Sequence, residues 1–133
     1  MARKSIVNMS QLVATSGITM SNPITVTTTG VSREFYELGS ADSVCFYYDI
    51  TATAGGGTFQ LALTERDPAT GVFLTQTDLP AFASESGNVA NVRTPTASTL
   101  WVPQGECYQL TWTLTTMTSC TFSVVAILNN SGG

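Results

Sequence analysis

Residues 108–128 read YQLTWTLTTMTSCTFSVVAIL, and apolar and polar residues alternate on both sides of Met117. Alternation with a period of two is typical of half-buried β-strands, because successive side chains point to opposite faces of a sheet. A turn centred on Met117 pairs Trp112 with Phe122 and Leu110 with Val124 on one apolar face. The sequence therefore predicts a β-hairpin whose apolar face packs on a core.

Two earlier segments, 44–50 and 58–65, show the same alternation and are separated by the glycine run 55–57, which resists regular structure. The inward positions predicted for these two strands are Val44, Phe46, Tyr48, Ile50, Phe59, Leu61 and Leu63.

The segment RDPATG at 66–71 has the composition of a tight connection between strands. Its Asp accepts hydrogen bonds from nearby main-chain amides, its Pro restricts the backbone angle φ, and its Gly tolerates a left-handed backbone conformation. A four-residue loop that pairs Arg66 with Gly71 places Leu63 opposite Leu74 and keeps the apolar faces together. We predict a hairpin with this register.

Strands and turns recur about every ten residues, and this spacing predicts an all-β antiparallel β-sandwich or jelly roll of about seven to nine short strands. Residues 31–130 form the sandwich domain in this interpretation. Residues 1–30 are either an extended N-terminal arm or the first strands of the sandwich. The segment 79–99 is poor in pattern and is predicted to be a long loop with one short strand, and loops of this length are often functional.

The composition excludes several classes of protein. Charged residues make up 11% of the chain, the net charge is −4, and there is no histidine. Five cations spread over the chain do not form the basic face that a duplex nucleic-acid binder needs. Histidine triads and histidine metal sites are excluded, and no apolar run reaches the roughly 18–20 residues of a membrane span. We therefore predict no cofactor, no nucleic-acid partner and no membrane partner.

The outward positions of the predicted strands carry mainly Thr, Ser and Gln, in a chain with 35 Ser and Thr residues. Isolated soluble domains usually keep more charge on their surface, whereas the centres of protein interfaces are depleted in charge. Two interpretations stay open. Neighbouring chains cover these faces, or the sandwich simply has a Thr-rich surface.

No pattern of catalytic residues stands out, and no enzymatic activity is predicted. Nothing in the spacing selects Glu65 and Glu106 as the paired acids of a glycosidase over two solvated charges. The three cysteines, Cys45, Cys107 and Cys120, are predicted to be buried thiols made in a reducing cytoplasm, because no His can activate them and the N-terminus is a poor secretory signal.

One group of residues resembles a known family. The succession YYDITAT at 47–53, a glycine-rich break, FQLAL at 59–63 and RDPATG at 66–71 is similar to small β-sandwich virion proteins of tailed bacteriophages, in which a D-P-x-(S/T)-G turn follows a strand. The two closing segments, YQLTWTL and TFSVVAIL, resemble the last strands of those proteins. Where family members often carry Arg near the penultimate strand, this chain has Glu106, Cys107 and Tyr108, so a contact made by that Arg is not transferred.

The resemblance implies a head decoration (cement) protein on the capsid exterior, made in the host cytoplasm. It would bind the major capsid protein and further copies of itself, as a dimer or trimer. Residues 1–30 are the candidate attachment arm, with two cations to meet an acidic shell and strand addition as the mode. Trp101 is predicted to be a core residue, a sugar platform or an interface anchor. The predicted interface residues are Arg3, Lys4, Ile6, Val7, Met9, Leu12 and Trp101.

Three alternatives remain at this stage. The first is a tail, connector or fibre component of the virion. The second is a carbohydrate-binding module, which needs exposed coplanar aromatic rings. The third is a hydrolase that uses paired acids.

Overall fold

The computed structural model describes residues 3–8, 23–75, 79–95 and 101–130, and these contain nine strands in two antiparallel sheets. The predicted all-β sandwich is confirmed. Two of its strands, β4 and β9, are twelve residues long and thus longer than expected. The strands are β1 Arg3–Asn8, β2 Ile24–Val26, β3 Gly30–Val31, β4 Ser43–Ala54, β5 Thr58–Arg66, β6 Phe73–Leu74, β7 Val89–Thr94, β8 Tyr108–Thr115 and β9 Ser119–Asn130.

The larger sheet has the order β1-β9-β4-β7, and β2 pairs with the same strand β9 as β1 does. The smaller sheet has the order β3-β8-β5-β6. The core between them is built from the alternating apolar positions, since side chains on one face of each strand meet those of the opposite sheet. All seven inward positions predicted for β4 and β5 are at most 2% exposed.

The predicted hairpin between β8 and β9 is wrong. β8 pairs with β5 from Tyr108 to Thr115 in the smaller sheet, while β9 pairs with β4 in the larger one. The connection therefore crosses from one sheet to the other, and Met117 at its centre is 5% exposed and belongs to the core. Trp112 and Phe122 are both buried, as predicted, but they lie in different sheets and are not paired.

The glycine run makes a second crossing of the same kind, between β4 and β5. Gly55, Gly56 and Gly57 all have positive φ. This crossing packs on the one from β8 to β9, where the Thr118 amide donates to the Ala54 carbonyl oxygen at 2.9 Å. A Cβ on Gly57 would lie 2.0 Å from the Thr115 carbonyl oxygen, so the close approach of the two crossings requires glycine there.

The hairpin after β5 is present, but its register differs from the prediction. Arg66 pairs with Phe73 and not with Gly71. The Asp67 amide donates to the Val72 carbonyl oxygen at 2.8 Å, and the Gly71 amide donates to the Asp67 carbonyl oxygen at 2.7 Å. Because Asp67 itself closes the turn, the four-residue loop starts one position later. The register shifts by two residues, so each side chain keeps its face.

Residues 79–85 form a strap that closes one side of the sandwich between β5 and β4. Glu85 and Phe59 exchange two main-chain hydrogen bonds. The Phe82 ring enters the core, with its centroid 5.7 Å from that of Phe46 and 5.6 Å from that of Tyr48. The Tyr48 hydroxyl donates to Glu85 Oε2 at 2.9 Å, and burial together with this carboxylate raises the pKa of Tyr48 to about 12. The short strand expected in this part of the chain is β7.

The N-terminal residues contribute strands to the larger sheet. β1 pairs with β9 from Asn8↔Val125 to Arg3↔Asn130, and β2 pairs with β9 from Ile24↔Phe122 to Val26↔Cys120. Both strands run in the same direction along the same edge of β9, so they form one interrupted row. Residues 3–8 and 24–26 therefore match the first-strands alternative, and attachment of this segment to a partner stays a prediction.

Candidate interaction surface

The outward side chains along most of β5 and β8 form a surface without ionisable groups, which we call the uncharged face, and it ends at Arg66, the last outward residue of β5. It contains the outward positions of β5 and β8, paired as Thr58↔Thr115, Gln60↔Thr113, Ala62↔Thr111 and Thr64↔Gln109, with one residue of β3 beside Thr111. The alternation of the two strands places these side chains opposite the core. The members of the uncharged face are Val31, Thr58, Gln60, Ala62, Thr64, Gln109, Thr111, Thr113 and Thr115.

Several polar groups of the uncharged face are already hydrogen-bonded within the sheet. Thr64 Oγ1 donates to the Gln109 carbonyl oxygen at 3.1 Å, and Gln109 Nε2 donates to the Ser32 carbonyl oxygen at 3.1 Å. Thr111 Oγ1 donates to the Ala62 carbonyl oxygen at 3.4 Å. A polar group that already has a hydrogen-bond partner within the protein loses less free energy when a second protein displaces its water. The desolvation penalty is largest for groups that are left without a hydrogen bond.

Val31, Thr113 and Thr115 are the most exposed members of the uncharged face, and Val31 is 51% exposed although it is apolar. By contrast, the outer face of the larger sheet carries charge. Asp49 and Arg93 lie there, on the face that Tyr47 shares. Low charge is thus a property of the uncharged face and not of both outer faces of the sandwich, so the expectation from composition applies to this one surface.

A cluster of ionic and aromatic side chains borders one end of the uncharged face. Arg66 Nη1 lies 3.4 Å from Glu34 Oε1, and Arg66 Nη2 lies 4.0 Å from Glu106 Oε1. The guanidinium also lies 5.8 Å from the ring centroid of Tyr36. An uncharged centre with a charged border is the usual anatomy of a protein interface. No local pattern could have revealed this cluster, since Arg66 is about thirty residues from Glu34 and Tyr36 in sequence and about forty from Glu106.

Glu65 and Glu106, which no sequence pattern selected as a pair, both line one open pocket of about 370 Å³. The two carboxylates differ in environment. Glu65 Oε1 is buried without a hydrogen-bond partner, close to Gly105. The Glu106 side chain is 80% exposed and points toward Arg66. The pocket therefore pairs one partly buried acid with one solvated acid whose charge an arginine partly compensates.

All three cysteines lie in the described part of the chain, and each is a free, buried thiol as predicted. Burial raises the pKa of the Cys120 thiol to about 11 and also raises the pKa of Cys107, whose Sγ lies 3.6 Å from Glu34 Oε1. A thiol with a raised pKa holds its proton at neutral pH and is a poor nucleophile.

We expect the folded protein to resist alkylation by iodoacetamide at about pH 8, because all three thiols are buried and the Cys120 thiol, with a pKa of about 11, is ionised in only about one molecule per thousand. Intact-protein mass spectrometry should show no adduct on the native chain and three adducts on the chain unfolded in guanidinium chloride. Rapid labelling of any one cysteine in the native protein would contradict this burial.

Both tryptophans are core residues with 6% exposure. Trp101 packs edge-on against Tyr108, with ring centroids 5.4 Å apart, and its strand segment bridges to Val44. Trp112 Nε1 donates to the Thr28 carbonyl oxygen at 2.7 Å. Of the three roles left open for Trp101, the structure places it in the core, and neither indole presents a face on which a sugar or a partner could stack.

The other predicted interface residues fall in or near β1. Arg3, Lys4, Ile6 and Val7 belong to this strand, opposite residues 126–130 of β9. Met9 and Leu12 lie outside the described residues. The structure therefore does not bring the β1 residues together with the uncharged face, because β1 and the uncharged face belong to different sheets.

No protein-family model, curated protein or solved structure matches this chain. No helix among the described residues has the length and hydropathy that a membrane span requires. Within the same residues, no three His, Cys, Asp or Glu side chains group in a way that could hold a metal ion.

Proposed function

We propose that this protein is a structural protein of a tailed-bacteriophage virion, most specifically a capsid decoration (cement) protein. It binds the outer surface of the capsid, contacts the major capsid protein and bridges neighbouring capsid subunits as a dimer or trimer. The observation that carries this proposal is the uncharged face of the smaller sheet, which has the charge depletion of an interface centre. Free buried thiols agree with synthesis in the reducing host cytoplasm.

The area of the uncharged face determines how many contacts the protein would need to stay bound to the capsid. Because β3 is only two residues long, the uncharged face consists mainly of two strands. Two strands about 4.8 Å apart and about seven residues long cover roughly 10 Å by 23 Å, or about 230 Å². A stable interface usually buries about 800 Å² on each partner. The uncharged face is thus about a third of what one strong contact needs, and a second attachment point is required.

Multi-point attachment gives the stabilising effect of a cement protein. A ligand that binds the assembled lattice, and not loose subunits, stabilises the lattice by its difference in affinity. Two weak contacts on one molecule raise its effective affinity, since the second contact forms at high local concentration. Many copies, each contributing modestly, would then hold neighbouring subunits together.

Charge placed in the middle of the uncharged face tests the proposal. Thr113→Glu should reduce occupancy on the capsid at least about 30-fold, because a desolvated unpaired charge costs about 2 kcal/mol or more. The matched variant Thr113→Val keeps the shape and stays uncharged, so it should bind as the native chain does. Ser84→Glu, on the exposed part of the strap, controls for the change in net charge.

The measurement is quantitative densitometry of particles purified from the tailed bacteriophage that encodes the chain, after adding each variant. Hundreds of copies per particle are expected for a decoration protein. A few copies per particle would indicate the tail, connector or fibre alternative. Undiminished occupancy of Thr113→Glu would show that the uncharged face is not the contact.

A further inference from the structure

Four connections between the two sheets lie at one end of the sandwich. β2 ends opposite Cys120, β5 begins opposite Thr115, and Glu85 of the strap bonds to Phe59 at the start of β5. The connections that leave these points therefore lie beside one another. They are TTT at 27–29, GGG at 55–57, SGN at 86–88 and TMT at 116–118. None of these residues is ionisable, and we call the surface that they form the uncharged end.

The opposite end of the sandwich carries charge. Its described connections, 32–42, 67–72 and 101–107, contain Arg33, Glu34, Glu37, Asp42, Asp67 and Glu106. Five carboxylates thus outnumber the arginines there, even when Arg66 at the end of β5 is included. Residues 9–22 lie outside the described part of the chain, but their sequence contains no ionisable side chain and adds no charge to the uncharged end. Glu85, the carboxylate nearest to the uncharged end in sequence, accepts from the Tyr48 hydroxyl inside the fold.

Hydroxyl groups allow the uncharged end to bond to a copy of itself. Thr28, Thr116 and Thr118 are exposed, and their hydroxyls have no hydrogen-bond partner among the described residues. A hydroxyl both donates and accepts, so two copies of one Thr can bond to each other, whereas two copies of a carboxylate repel. The fold already contains a pair of this kind, since Thr25 Oγ1 lies 2.7 Å from Thr121 Oγ1.

Thr116 has a strained backbone conformation on this surface. Its φ is +69°, which a β-branched residue rarely adopts. The neighbouring crossing meets the same requirement with glycine, since residues 55–57 all have positive φ. Strained residues cluster at functional sites, where a side chain is retained despite its cost in stability. The exposed Thr116 side chain therefore favours a contact with a partner.

We propose that the uncharged end binds the uncharged end of a second copy of this chain and forms a two-fold symmetric dimer. In such a dimer each residue near the axis meets its own copy, so a charge there would meet a like charge. The middle of the uncharged end is formed by 55–57 and 116–118, because 27–29 and 86–88 lead to strands at the edges of the sheets. The axis therefore passes close to Thr116. No atom lies within 4 Å of the position of a Cβ on Gly56, which lets the second main chain approach.

This inference rests on the proposed function, because it names the surface through which two copies associate. A dimer carries two uncharged faces and so supplies the second attachment point that the area of one face requires. Four strands about 4.8 Å apart in two sheets about 10 Å apart present an end of roughly 19 Å by 20 Å, or about 380 Å². This is about half of what each partner buries in a stable interface. The dimer is therefore weak in solution and is strengthened on the capsid, where both copies are held.

Sedimentation equilibrium of the full-length protein tests the dimer without any capsid. We expect a Kd of roughly 0.1–1 mM, so that at about 2 mM protein at least about half of the molecules are in dimers. Thr116→Glu should weaken association at least about tenfold, because two like charges meet at the axis. Thr116→Gln has the same length without the charge and should associate within about twofold of the native chain, as should Thr113→Glu on the uncharged face. A native chain that stays monomeric at this concentration would overturn the proposal, as would undiminished association of Thr116→Glu.

Oxidative cross-linking through new cysteines locates the contact. The native cysteines are buried and should give no cross-link. Thr116→Cys should form disulfide-linked dimers at least about tenfold faster than Thr113→Cys, because residue 116 lies near the axis and residue 113 does not. Thermal unfolding confirms that the variants fold. Equal rates of cross-linking at the two positions would contradict an end-to-end contact.

The outcomes separate this inference from the proposed function. Self-association of Thr113→Glu together with loss of its capsid occupancy would support both surfaces. A chain that occupies the capsid but neither dimerises nor cross-links at residue 116 would overturn the dimer and leave the proposed function standing. Dimers that do not bind the capsid would overturn the proposed function and leave the end-to-end contact standing.

Discussion

Replacing Gly57 with alanine is expected to lower the free energy of unfolding by about 3–5 kcal/mol. Two costs combine at this position. Gly57 has φ +75°, which L-residues other than glycine rarely adopt. The added Cβ would also meet the Thr115 carbonyl oxygen at 2.0 Å and the Met117 amide nitrogen at 2.8 Å, so the two crossings between the sheets would have to separate.

The neighbouring Gly56 provides the matched control for this prediction. It has φ +67°, but no atom lies within 4 Å of the position that a Cβ would take. Gly56→Ala should therefore lower the free energy of unfolding by only about 1–2 kcal/mol, which is the cost of holding an L-residue at positive φ. Thermal unfolding should show a fall in Tm of roughly 10–20 °C for Gly57→Ala and a few degrees for Gly56→Ala. Equal losses in the two variants would contradict the close packing of the crossings.

Phe122→Ala is expected to destabilise the protein by about 3–5 kcal/mol, because it removes a large side chain that is completely buried. The Phe122 ring packs against Phe59 of the opposite sheet, with ring centroids 4.9 Å apart. Phe73→Ala is the control with the same change of side chain. Phe73 is only half-buried on β6, so its replacement should cost about 1 kcal/mol. Denaturant unfolding measures both values.

A double-mutant cycle makes this second prediction specific to the sandwich. Phe59→Ala and Phe122→Ala should couple by about 0.5–1.5 kcal/mol, since their rings are in contact across the two sheets. If Phe122 belonged to a hairpin with Trp112, Phe59 would not be its neighbour. Additive effects of the two substitutions would therefore contradict the packing of β5 on β9.

Strand positions and their faces were predictable from the sequence, because the alternation of side chains depends only on local spacing. Val44, Phe46, Leu61 and Leu110 were all assigned to the core in this way and are at most 2% exposed. The same reasoning identified Thr113 as an outward residue. Where the alternation is strong, an odd or even position along the strand determines the face of the sheet on which a side chain lies. This holds even when the predicted register is wrong, as it was for the hairpin after β5.

The choice of partner strand was not predictable from local pattern. An alternating segment on each side of Met117 suits a hairpin and a crossing between sheets equally well, because both bury the same side chains. The outcome depends on contacts between the two crossings that form only in the folded chain, where Gly57 lies against Thr115 and the Thr118 amide donates to the Ala54 carbonyl oxygen. The strap was also not predictable, since Phe82 does not belong to an alternating segment. Its ring is buried only because it fills the gap between β4 and β5 in the folded chain.

The functional surface was only partly predictable. Composition indicated low charge on both outer faces, whereas the structure restricts it to the smaller sheet, since Asp49 and Arg93 lie on the other one. Trp101 could not be assigned from sequence, because a single aromatic residue beside an irregular segment suits a core and a surface equally well.

Electron cryomicroscopy of the virion with this protein bound tests the central claim most directly. We expect the outer face of β5 and β8 to be covered by a neighbouring chain, with Thr113 in contact and the Arg66 cluster at the border of the contact. A map in which this face points into open solvent, while the protein is held through the charged face of the larger sheet, would contradict the claim.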